Sequence, residues 1–172
     1  MLLSNPGDPD VPTLSERLMA LAGWALLLYA LGTLPFLVIS PGPEYIAMQK
    51  PALRPPLAWY PQIWGALYVT LALALWLMRL DAESGDPQIR RASLLFAAQY
   101  ALHLLWAPLL FGMNAPLWLA GCLGVMLAIM LATVVAFARI RPLSALLLLP
   151  WLCWLGYGLW FYLTLWRMSM PS

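Results

Sequence analysis

Hydrophobic positions in the 172-residue chain gather into five long blocks separated by short polar or proline-rich breaks. None of the blocks alternates with a period of two, and all exceed the length of a barrel strand. Each reaches the roughly 20 residues that a bilayer core demands of a helix. The pattern predicts helices over about 15–39, 56–80, 89–112, 116–138 and 142–167. Thr13 or Ser15 can cap the first, and Pro55-Pro56, Pro116 and Pro142 open three of the others, where a missing N–H costs least. The expected fold is an all-α integral membrane protein, a five-transmembrane-helix bundle. Residues 1–13 are acidic and proline-rich and read as an irregular tail. They lack the positive n-region of a cleaved signal peptide. Residues 14–172 read as a single membrane domain.

The breaks differ in length. The turns at 81–88, 113–115 and 139–141 are short and make helices two to five antiparallel neighbours, whereas 40–54 is long for a connection inside a bundle. The stretch 44–68 runs from this loop straight into the second helix and holds the only lysine, Lys50, among prolines and aromatic rings. It has the character of a lid over the mouth of the bundle, with a ligand site beneath.

Composition agrees with a membrane protein: 63% of residues are hydrophobic and 9% charged, with a mean hydropathy of +0.81. So few charges cannot cover a water-facing surface, since soluble domains carry roughly a quarter. A dispersed net charge of +2 gives no footprint for nucleic acid. Cys122 and Cys153 lie in apolar runs without metal or redox spacing and read as packing residues. Six basic residues fall on the N-terminal side of the predicted spans and three on the other. The positive-inside rule then puts the N-terminus in the cytoplasm and the 40–55 loop outside. Helical spans point to the cell membrane of a bacterium.

Three helix faces carry candidate chemistry. The second helix presents Tyr60, Trp64 and Tyr68 at intervals of four, the third Gln99, His103 and Trp106, and the fifth Trp151, Trp154, Tyr157 and Phe161. Such rings serve either as an interfacial belt facing lipid or as walls of a cavity for a flat apolar ligand. His103, the only histidine, falls at mid-membrane depth, where an ionisable group is a functional candidate. It could bond Gln99 or a carbonyl of a neighbouring helix, touch a ligand, or ligate a porphyrin metal; for the last, a single histidine is thin support. Paired buried carboxylates, a nucleophile with a His-carboxylate partner and a Gly-rich phosphate loop are all missing from the pattern, so ordinary acid–base or nucleophilic catalysis lacks parts. Gly124, Ala128, Ala132 and Ala136, four apart, form a seam for packing within the bundle or between two copies. Leu159, Tyr162 and Arg167 fit a loose pattern proposed for sterol contact.

Helices two to five resemble the TspO/MBR family, the tryptophan-rich sensory proteins and mitochondrial translocator proteins. The likeness rests on Tyr45, Lys50-Pro51, Pro55-Pro56, Trp64 and Leu67-Tyr68; on Gln99, Leu102, Trp106, Pro108 and Phe111-Gly112; and on Pro142, Leu147-Leu148, Pro150, Leu152 and Trp154. The resemblance implies a five-helix bundle, commonly a homodimer, whose cavity under the first loop binds tetrapyrroles such as protoporphyrin IX or haem, sterols and flat drugs. It implies Trp64 and Trp154 as pocket walls and Gly158 as a small position that influences binding. No resident cofactor is required; a porphyrin or haem would be a ligand. Sensing, transport and light-dependent porphyrin breakdown are the roles the likeness brings with it. Glu44, Leu53, His103, Cys122 and Tyr162 depart from the family pattern, so the ligand preference is expected to be this chain's own.

Overall fold

The computed structural model describes residues 13–39, 43–47, 49–80, 86–113 and 116–170. Every regular element among them is helical: α1 (Leu14–Val38), α2 (Pro43–Ala47), a 3-10 turn (Leu57–Trp59), α3 (Tyr60–Arg79), α4 (Pro87–Met113), α5 (Pro116–Ile140), α6 (Pro142–Leu146) and α7 (Leu149–Met168). Chemistry local to each terminus explains these bounds. Thr13 caps α1 in a reciprocal box, its hydroxyl accepting from the Glu16 N–H while the Glu16 carboxylate accepts from the Thr13 N–H. The Asp86 carboxylate accepts from the Gln88 N–H at 2.7 Å, and Pro87 follows it as the first helical residue of α4.

The second helix begins later than its prolines suggest. Pro56 is extended, with ψ 140°, and caps the 3-10 turn instead; Pro61, in the first turn of α3, is the proline that opens the helix. The fifth predicted helix is two pieces. Pro150 cannot donate to the carbonyl four residues back, so the chain turns at 147–148 and restarts as α7.

Four stretches of the described residues are long and apolar enough to cross a bilayer: Leu14–Pro35, Leu57–Arg79, Pro116–Ile140 and Pro142–Met168. The expected fifth, α4, is not among them. Arg90, Arg91, Ser93, Gln99 and His103 lower the hydropathy of its described part, and the side chains of Ala107, Pro108 and 110–113 lie outside the described residues.

Helix α5 packs along both α4 and α7, while α1 lies along α3 and touches α4. Tyr68, Trp151, Phe137, Met126 and Met130 are fully buried at the centre. Of the described side chains of α1, only Leu28 and Gly32 are buried. Two tyrosines hold that helix: the Tyr100 hydroxyl donates to the Leu28 carbonyl, and the Tyr68 hydroxyl sits where a Cβ on Gly32 would be. At the opposite end of the bundle, the Arg141 guanidinium donates to the Leu77 carbonyl at 3.1 Å and covers the last turn of α3. The seam on α5 faces outward, with Ala128 and Ala132 exposed.

Candidate functional site

The aromatic stripes of α3, α4 and α7 face one another. Trp64 stands where they meet, with ring centroids 5.9 Å from Tyr68, 5.3 Å from His103, 6.5 Å from Trp106, and 5.7 Å from both Trp151 and Trp154. Spacings of this size are attractive contacts between rings, edge-on or offset, beyond the area they bury. Beside Trp64 lies a cavity of about 30 Å³, room for one water-sized guest. Its wall is Trp64 from α3, His103 and Trp106 from α4, Leu123 and Met126 from α5, and Trp151, Trp154, Leu155 and Gly158 from α7.

Of the residues singled out in the sequence, Trp64, His103, Trp106, Trp154 and Gly158 are thus brought together on one wall. Tyr68 lies one layer behind it, its hydroxyl 2.8 Å from His103 Nε2. This cross-helix bond replaces the expected partnership of His103 with Gln99 or a carbonyl. Gln99 is fully buried, and among the described residues neither atom of its amide has a hydrogen-bond partner. A Cβ on Gly158 would lie 3.3 Å from a Leu123 methyl, so the glycine leaves α5 and α7 in close contact at the cavity wall.

Above the cavity the loop is tied down. The Tyr157 hydroxyl donates to the Leu53 carbonyl at 3.2 Å, and Tyr60 meets Trp154 edge-on at 6.1 Å. Pro51 is buried and Lys50 half-buried, with the Lys50 ammonium donating to the Ile46 carbonyl. Partial burial, with Arg54 adding repulsion, holds the Lys50 amine below the usual lysine range. The backbone of Tyr45 belongs to α2, but its side chain lies outside the described residues. The three sterol-pattern residues part company. Tyr162 is turned inward against Trp106 and Phe161, Leu159 is half-buried, and Arg167 is exposed.

Trp151, Leu123, Met126 and Leu155 complete the wall. Trp151 carried a signal, since it shares the aromatic stripe of the fifth helix. The others are ordinary apolar positions of a membrane helix, and nothing in their pattern marks them. Among the described residues no three His, Cys, Asp or Glu side chains gather as a metal site.

Comparison with known proteins gives the same neighbourhood. The family model for the TspO/MBR family matches residues 18–167. The chain is 31% identical to the tryptophan-rich protein TspO of Chlorobaculum tepidum over 127 residues, covering 73% of this chain and 78% of that protein. It is 31% identical to the translocator protein of Sus scrofa over 123 residues, 72% of this chain and 73% of the relative. With the tryptophan-rich sensory protein of Cereibacter sphaeroides it shares 32% over 117 residues, 68% of this chain and 71% of the relative. A multi-pass helical membrane protein with four of its ten tryptophans lining one cavity, this chain belongs to the TspO/MBR family.

Proposed function

We propose that the protein is a membrane sensor or carrier that binds tetrapyrroles, or sterol-like apolar molecules of similar size, between α3, α4, α5 and α7 beneath the 40–55 loop. The observation that carries this reading is the convergence of five rings on Trp64, four of them in the wall of a cavity whose described lining has one ionisable side chain, His103. Flat apolar ligands take such walls, with a few polar groups to orient them. A cavity of about 30 Å³ is far below the hundreds of Å³ a drug-sized ligand fills. Binding of a ligand of that size therefore requires the rings around Trp64 to part.

Titration with protoporphyrin IX, read by quenching of tryptophan fluorescence, tests the reading. Affinity should fall at least tenfold in the Trp64→Ala, Trp154→Ala double variant; unchanged affinity removes the pocket assignment.

The same reading takes α4 as the fifth crossing, since its polar Gln99 and His103 are buried inside the bundle instead of facing lipid. It also takes residues 14–172 as one domain in a bacterial cell membrane, with the N-terminus in the cytoplasm. A second copy meets the small exposed residues of α5.

A further inference from the structure

The chemistry of the cavity wall selects among apolar ligands. Among the described residues its nitrogen- or oxygen-bearing side chains are four tryptophans and His103; Leu123, Met126, Leu155 and Gly158 bring no side-chain nitrogen or oxygen. An indole only donates, whereas an imidazole donates or accepts according to its tautomer. The character of the whole wall therefore turns on which nitrogen of His103 carries the proton.

The Tyr68 hydroxyl decides it. Both groups are buried, and the bond between Tyr68 Oη and His103 Nε2 is the only hydrogen bond either makes among the described residues. Were Nε2 to carry the proton, it would donate to the phenol oxygen. The phenol O–H and the bare Nδ1 would then both lack a partner among the described residues, against Nδ1–H alone in the other tautomer, and each unmatched polar group in the core is costly. With the phenol donating, its proton is satisfied and Nε2 is used as the acceptor. The imidazole proton then sits on Nδ1. Tyr68 is not part of the cavity wall and occupies Nε2, which leaves Nδ1–H as the polar group the His103 ring has to offer a guest.

We infer that Tyr68 and His103 are specificity-determining residues that make the wall wholly donating, so that the site selects flat apolar molecules bearing a hydrogen-bond acceptor, such as a ring carbonyl. Tyr68 is the positioning residue and His103 the contact. The inference rests on the ligand-binding reading of this cavity.

Fluorenone and fluorene, alike in shape and differing by one carbonyl oxygen, separate the possibilities. His103 is the only histidine, so protein labelled with ¹⁵N-histidine in bicelles gives one imidazole to follow. The free protein should show Nδ1 protonated and Nε2 bare, and Tyr68→Phe should shift the ring toward the other tautomer. Fluorenone should move the Nδ1–H resonance and fluorene should leave it in place. By tryptophan fluorescence, the fluorenone-to-fluorene affinity ratio should exceed that of His103→Phe by about 3- to 10-fold, the worth of one net hydrogen bond. An Nε2-protonated ring in the free protein, or equal binding of the two probes with the same ratio in His103→Phe, overturns the selectivity and leaves the cavity reading standing. Binding of neither probe overturns both.

Discussion

Replacing Gly32 by alanine should weaken this protein, although that exchange ordinarily strengthens a helix. In the middle of α1, alanine gains about 1 kcal/mol over glycine from propensity alone. At Gly32 the added methyl would overlap the hydroxyl and ring edge of Tyr68. Tyr68 has little room to retreat: it is 1% exposed, meets Tyr29 edge-on, stacks on Trp64 and is hydrogen-bonded to His103. Either α1 moves off α3, at the roughly 1–3 kcal/mol typical of an overfilled core, or Tyr68 swings away. In the second case a net hydrogen bond of about 1 kcal/mol is lost, and stranding the buried imidazole acceptor costs about 1–3 kcal/mol more. Set against the propensity gain, the balance is a loss of about 0–2 kcal/mol if α1 moves and about 1–3 kcal/mol if Tyr68 swings away. Gly23 in the same helix has nothing within 4 Å of a built Cβ, so Gly23→Ala should be neutral or stabilising by up to about 1 kcal/mol. Thermal unfolding in detergent micelles, followed by tryptophan fluorescence, reads both variants. Removing the phenol oxygen with Tyr68→Phe should make Gly32→Ala less harmful, though only in part, because the ring carbons are also close. If Gly32→Ala proves as stable as Gly23→Ala, the packing of α1 against Tyr68 is wrong.

Three further outcomes follow from the geometry. Tyr157→Phe removes the bond to the Leu53 carbonyl; the midpoint of unfolding should barely move, but hydrogen exchange across residues 50–54 should quicken about 2- to 5-fold, and an unchanged rate would show that this bond does not hold the loop. The Lys50 amine should react with an acylating reagent with a titration midpoint below that of an ordinary lysine, and Arg54→Gln should move it part of the way back. Because the unfolded chain binds that proton more tightly, stability should rise as pH climbs through the folded-state pKa toward the unfolded one; a midpoint at the ordinary lysine value would contradict the partial burial. Ala128→Leu, on an exposed position of α5, should leave unfolding of the monomer within about 0.5 kcal/mol while reducing crosslinked dimer, and a large loss of monomer stability would place that face inside the bundle instead.

Much of this architecture is written in short local signals. Thr13 with Glu16, and Asp86 followed by Pro87, mark helix starts through chemistry confined to one turn, and Pro142 does the same for α6. The spacing of Trp64, His103, Trp106 and Trp154 is likewise local, and it suffices to show that each helix has one aromatic face. What a helix face meets depends on the rotation of its neighbours. Hence the sequence offers His103 either Gln99 one turn away or a carbonyl of a neighbouring helix, and the partner is the side chain of Tyr68 on another helix. Leu123 and Met126 are indistinguishable in sequence from lipid-facing residues until α5 is set against α7. Tyr162 shows the same dependence: it belongs to a loose sequence pattern proposed for sterol contact, and helical geometry turns the ring inward against Trp106. Pro55-Pro56 and Pro61 compete to start the same helix, and only the extended backbone before Tyr60 settles which one does.

The bond from Arg141 to the Leu77 carbonyl also bears on the order in which the protein is made. The two residues are 64 positions apart, so at roughly 5–20 residues per second the ribosome needs about 3–13 s to supply the partner. Helix α3 therefore enters the bilayer with its last turn uncovered, and α1 waits similarly for Tyr100 to reach Leu28, 72 positions downstream. The N-terminal helices are inserted first and locked last. For that interval α1 and α3 have only each other and lipid to pack against, until the C-terminal half arrives and fixes the remaining faces they present.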